Sequence, residues 1–168
     1  MGMTVLRTLS LLAATVTMGL MAGLFTAFAY AVVPGLARAD DRTLVVAMQR
    51  INESILNGWF LVCFFGALVF TGVAAALHLG GGWRGVLPWI AAALLLYLVV
   101  LVVTFAANVP LNNALAQAGD SDRLTDLAAV RERFAPAWIR WNVLRAVAST
   151  AGFAVLTWAL VVHGRISG

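Results

Sequence analysis

The stretch "WIAAALLLYLVVLVVTFAANVPLNN" (residues 89–113) decides the fold. From Trp89 to Ala107 it carries no charged side chain, and it then sets Asn108, Asn112 and Asn113 around Pro110. A helix needs about 20 apolar residues to cross the roughly 30 Å of bilayer hydrocarbon at ~1.5 Å per residue. The run has that length. Carboxamides at its end either stop a helix or belong to a site.

Residues 9–33, 59–77 and 138–162 repeat the pattern, so with residues 87–109 the chain has four candidate spans. Of its 168 residues, 62% are hydrophobic and 11% charged, and the mean hydropathy is +0.95. A soluble surface cannot be made from that composition. Inside lipid the backbone must satisfy its own hydrogen bonds, and these runs lack the alternation of barrel strands. The expected fold class is therefore all-α, a four-transmembrane-helix bundle filling residues 1–168 as a single integral membrane domain. Arg7, the apolar run after it and "AFA" (27–29) resemble a secretory signal. The run exceeds the ~7–15 residues of a signal core and the chain begins at Met1, so a retained anchor is expected.

The first span places Thr15, Gly19, Gly23, Ala27, Ala31 and Gly35 four residues apart. Such a small-residue stripe lets a neighbouring helix approach closely, which suits bundle packing and permits a homo-oligomer. Pro34 and Gly35 are expected to end that helix. In "ARADDRTLVVAMQRINESILN" (37–57), Leu44, Met48, Ile51 and Ile55 form one apolar stripe, predicting an amphipathic helix at the interface or over the bundle. "HLGGGWRG" (78–85) with Pro88 predicts a tight hairpin between spans two and three. The second long connection (114–136) is expected to hold a helix over 124–134, with Pro136 preceding the fourth span.

Four spans put both termini and the glycine turn on one side and both long connections on the other. Arg7, Arg84 and Arg165 flank the short segments, whereas Arg38, Arg42, Arg50, Arg123, Arg131, Arg133 and Arg140 occupy the longer ones. By raw count the positive-inside rule makes the long-connection side cytoplasmic; those arginines are, however, interspersed with all seven acids, while the short side carries only basic charge beside its spans. The expectation is a multi-pass protein of a bacterial inner or plasma membrane with both termini cytoplasmic. The pI near 10.6 comes without any lysine or basic run, so it points to membrane-surface anchoring and not to nucleic acid. Cys63 is the sole cysteine, which excludes a disulfide framework.

In "WIRWNVLR" (138–145) Trp138, Trp141, Asn142 and Arg145 recur at helical spacing and share a face. Arg145 lies roughly 10 Å along the axis from Trp138, a depth at which an arginine costs ~2.5–3.5 kcal/mol and should turn inward to a partner. The candidate partners are Glu53, the carboxamide oxygens, or an anionic ligand. If the third helix persists past Pro110, Asn108 and Asn112 stack on one face; alternatively the proline unwinds the end and frees carbonyls. Gln49 and Asn52 lead into the second span from the same side, and Tyr30 closes the first span there. Together these residues predict an aromatic-lined cavity with a few donors and one fixed cation, suited to a planar apolar molecule bearing an acidic hydroxyl or a carbonyl. Tryptophans at a span's end also serve as interface belts, and asparagine near proline also stops helices.

His78 and His163 fall on the opposite side with no carboxylate, and Met18 and Met21 read as core, so no metal site or cofactor is expected. No phosphate loop, nucleophile elbow or paired carboxylate is present.

The segments "AGLFTAFAYAVVPGL" (22–36), "AMQRIN" (47–52), "NVPLNNAL" (108–115) and "WIRWNVLR" (138–145) resemble the DUF1772 or anthrone oxygenase-like family of small four-helix membrane proteins, over nearly the whole chain. The resemblance implies oxidation of anthrones to anthraquinones without a familiar cofactor motif. On that reading Arg145 favours the substrate anion, Asn108 and Asn142 act beside it, and Asn112, Asn52, Gln49, Trp138, Trp141, Tyr30 and Glu53 surround the substrate. The base is open between Glu53, Tyr30 and water. The competing reading is a non-enzymatic protein that binds a lipid or small apolar ligand in the same cavity, or a membrane partner subunit. A dimeric transporter is a third class.

Overall fold

The structure is a computed structural model that describes residues 2–119 and 126–167. Among the described residues five helices build it: α1 Gly2–Ala37, α2 Asp41–Ser54, α3 Gly58–Leu77, α4 Leu87–Gln117 and α5 Leu127–Ser167. All except α2 are long and apolar enough to cross a membrane, and the protein is a multi-pass, all-helical membrane protein. Around the bundle, α1 packs between α3 and α5, α5 between α1 and α4, and the seam between α3 and α4 is the loosest of the four.

Leu11, Ala14, Met18, Met21 and Phe25 of α1 meet Phe64 and Ala67 of α3, Ile90, Ala93 and Tyr97 of α4, and Ala148, Leu156 and Ala159 of α5. Tyr97, fully buried, donates its hydroxyl to the Phe64 carbonyl at 2.7 Å, joining α4 to α3. The small-residue stripe is used only in part. Gly19 lies against the Phe153 ring so closely that a Cβ would stand 2.8 Å from it, whereas Gly23, Ala31 and Gly35 face outward.

Three helices run further than their prolines suggest. In α1 a π turn at Phe28–Val32 precedes Val33 and Pro34, and the helix continues to Ala37. In α4 a π turn at Thr104–Asn108 precedes Val109 and Pro110, and the helix continues to Gln117. A proline ring collides with the carbonyl four residues back and offers no N–H. A turn widened to i→i+5 bonds moves that carbonyl aside, with Val33 N–H reaching Phe28 O and Val109 N–H reaching Thr104 O. The helix neither ends at Pro34 nor unwinds at Pro110. From Leu127 on, the helix expected over 124–134 is the front of α5, which carries exposed Pro136 within it; Leu124 and Thr125 lie outside the described residues.

A second core sits over the bundle. Asp40 caps α2 by accepting from Thr43 N–H at 2.8 Å, which holds its carboxyl below the usual range. Leu44, Val45 and Met48 then press on Val33, Leu115, Phe134 and Trp138. Arg131 of α5 clasps this cap by donating to the Ala37 carbonyl at 2.7 Å, to Ala39 O at 3.0 Å and to Asp41 at 2.9 Å.

At the other end the two histidines, separate in sequence, touch. His78 Nδ1 lies 2.7 Å from the Ala74 carbonyl, so it must be the donor there, and His78 Nε2 accepts from His163 Nδ1 at 3.1 Å. His163 Nε2 faces Thr8 Oγ1 at 2.9 Å, and Trp83 of the turn Gly81–Gly85 stacks on His163 at 4.6 Å.

Candidate functional site

The polar side chains of α2, α4 and α5 converge where the π turns lie, and α1 brings the Phe25 carbonyl and aromatic rings. A cavity of about 130 Å³ opens there, with Phe25, Phe28, Phe60, Phe64, Phe105 and Trp138 in its walls. That is an order of magnitude beyond the ~10–15 Å³ a single water requires.

Arg145, 7% exposed, reaches into it. Its guanidinium donates to Asn142 Oδ1 at 2.9 Å and lies 3.5 Å from Thr104 Oγ1. Its carbon sits 4.4 Å from the Phe25 ring centre and 5.6 Å from that of Trp138. Aromatic faces and neutral oxygens attract a cation but do not neutralise it. Among the described residues no carboxylate pairs with Arg145, and its Nε has no hydrogen-bond partner.

Asn142, buried, donates its Nδ2 to the Phe25 carbonyl at 3.0 Å, so its oxygen is left for Arg145. Asn112 Oδ1 accepts the Trp138 indole N–H at 2.9 Å. Asn108 is 1% exposed, yet among the described residues neither its nitrogen nor its oxygen has a partner, and Asn52 Nδ2 is also unpartnered. Buried polar groups left unpaired cost ~1–3 kcal/mol each. Arg145, Asn108 and Asn52 all line the one cavity, and together they offer donors and one acceptor to a molecule that would sit there.

Asn52, Asn108, Asn112, Trp138, Asn142 and Arg145 are thus brought together as their spacing suggests. Four other expected site residues are not. Tyr30 is 72% exposed on the π turn of α1. Trp141 stands beside the Arg140 guanidinium at 5.2 Å, outside the cavity. Glu53 pairs with Arg50 at 3.1 Å in the open, so it is no counter-ion to Arg145. Gln49 bridges α2 to the end of α4 by donating to Leu115 O and Gly119 O, both at 3.0 Å. Glu53 and Gln49 line a neighbouring groove instead. The aromatic wall of Phe25, Phe28, Phe64 and Phe105, and Thr104 beside Arg145, are contributions that spacing alone did not single out; the paired "VVP" and "NVP" tripeptides before the helix extensions were the available signal.

Residues 59–155, more than half of the chain, match the family model of anthrone oxygenase. The chain belongs to the anthrone oxygenase family. No curated protein and no solved structure matches it. The segment matched to the anthrone oxygenase model contains Asn108, Asn112, Trp138, Asn142 and Arg145, while Phe25, Phe28 and Asn52 complete the cavity from outside it.

Proposed function

We propose that the protein is a membrane-embedded oxygenase of a hydrophobic aromatic, anthrone- or quinol-like substrate, with Arg145 stabilising the substrate anion. Support comes from one observation above the others: a buried cation with a free N–H and, among the described residues, no acid beside it, boxed in aromatic rings. In such low-dielectric surroundings an anionic oxygen gains far more from the cation than in water. The unpartnered amides of Asn108 and Asn52 suit the oxygen substituents of the same molecule.

For an anthrone the atoms and electrons balance. A proton leaves the methylene carbon opposite the carbonyl, and the negative charge collects on the oxygen held by Arg145. The anion gives one electron to dioxygen, and recombination with superoxide forms a C–O bond. Cleavage of the O–O bond with loss of the second methylene proton releases water and leaves the quinone, so one dioxygen is consumed per anthrone. Our reading sets both termini on the cytoplasmic side, because Arg7, Arg84 and Arg165 stand there without acids.

A second reading is favoured by the cavity's own chemistry: among the described residues no Asp, Glu, His or Tyr side chain lines it. A protein that only binds a lipid or apolar ligand would need no proton acceptor. Oxygen uptake and quinone formation with anthrone, above the spontaneous rate, separate the two. The oxygenase reading expects turnover that falls at least a hundredfold in Arg145→Leu, about the scale of losing an oxyanion donor. Saturable binding without turnover would support the binding protein and overturn the oxygenase.

A further inference from the structure

The cavity is not sealed. Its inner wall is buried at Phe25, Phe64, Asn108, Asn142 and Arg145, but Leu61, Phe65 and Phe105 on its rim are 41%, 45% and 55% exposed. Leu61 and Phe65 sit in the first two turns of α3, and Phe105 in the π turn of α4. These three flank the seam between α3 and α4, the loosest in the bundle. They belong to apolar spans, so this opening faces hydrocarbon.

On another flank the cavity runs into a groove of about 590 Å³ between α2 and the end of α4. Asn52, Ile55, Leu56, Val109 and Asn112 are walls of both. The groove carries Gln49, Arg50, Glu53 and Asn113, and the Arg50 and Glu53 side chains are 76% and 66% exposed. Its character is that of the membrane surface.

We propose that the chamber has two mouths of opposite polarity, a lipid-facing window at Leu61, Phe65 and Phe105 that admits an uncharged aromatic ligand from the bilayer, and a polar vestibule between α2 and α4 that connects its Asn52 and Asn112 end to water. The inference rests on the aromatic-ligand reading above. A neutral hydroxyaromatic dissolves in hydrocarbon and its anion does not, so loading through the window precedes deprotonation. The proton then leaves through the vestibule, the side on which an exposed carboxylate, Glu53, stands. An apolar window also discriminates against ionised ligands before they reach the cation.

The protein in phosphatidylcholine vesicles, with anthraquinone as a probe that does not react with oxygen, tests this. The rate at which the probe associates is followed after mixing, because the equilibrium affinity does not depend on the route of entry. Leu61→Trp is expected to slow association at least fivefold, while Val62→Trp, outward-facing and not part of the cavity wall, leaves it unchanged. Phe105→Trp, from the opposite rim, gives the same reading if Leu61→Trp does not fold. Rim variants that associate at the wild-type rate would overturn the window while leaving the aromatic site standing. Absence of saturable binding in the wild type removes the site, and the window with it.

Discussion

The Trp138 indole N–H meets Asn112 Oδ1 at 2.9 Å, pinning α5 to α4 at the edge of the cavity. Trp138 also contacts the Phe28 ring at 5.9 Å and Phe134 at 6.2 Å, so one side chain joins the π turn of α1, the core beneath α2 and the polar level of the bundle. Trp138→Phe keeps most of the packing and removes the hydrogen bond. It is expected to cost about 1 kcal/mol in reversible unfolding in mixed micelles, and Asn112→Ala in the same background should add little, because the two changes break one interaction.

Asn142 and Arg145 respond differently to truncation. Asn142→Ala leaves Arg145 buried without its best acceptor and leaves Phe25 O without its side-chain donor, a loss on the order of 3 kcal/mol. Arg145→Met removes the charge and fills the space with an apolar side chain. It is expected to cost less than Asn142→Ala, or to stabilise the fold, while abolishing anion binding. The order of the two variants in a denaturant titration checks this; if Arg145→Met were the more destabilised, the guanidinium would be a structural strut.

The histidine contact makes the other end acid-sensitive. Burial holds His78 below the ordinary histidine value of 6.5, helped by Arg7 and opposed by the bond to Ala74 O. Every acid in the sequence belongs to the two long connections, so none offsets a charge gained at this end. In the window below 6.5 the unfolded chain binds a proton that the folded chain does not, so stability is full above it and falls as the pH drops through it. Thermal unfolding scanned from neutral to mildly acidic pH should show that loss, and His78→Leu should flatten it.

The prolines set the register of the helix segments beyond them. A π turn holds one residue more than an α turn and rotates the downstream face by about 100°. Pro110→Ala removes the reason for the widened turn in α4 and is expected to let it relax. Asn112 would then swing away from Trp138 and ligand affinity would fall at least tenfold, although the helix itself gains propensity. Affinity for an anthraquinone probe, read beside near-ultraviolet circular dichroism of the tryptophans, distinguishes this from unfolding.

Much of this architecture is legible in the residues. The four spans come from hydrophobic length, α2 from its Leu44, Met48 and Ile51 stripe, and the shared level of Asn108, Asn142 and Arg145 from counting turns. Phase within one helix is readable only while the period holds. Tyr30 lies inside a π turn, where a constant 3.6-residue period no longer gives its direction, and it faces outward. Glu53 was a plausible counter-ion by depth, but the inward face of α2 is set by Leu44, Val45 and Met48, and Glu53 falls off that face. The contact of His78 with His163 spans 85 residues and depends on how α3 and α5 rotate against each other, which no local pattern encodes.

The claim that a bound molecule is held as its anion by Arg145 has a direct spectroscopic test. Anthrone added without oxygen to the protein in vesicles, below the pH at which free anthrone ionises, should show the absorption band of its anion in the wild type and lose it in Arg145→Leu. Binding of anthrone with only the neutral spectrum, or an anion band that survives in Arg145→Leu, would contradict the account.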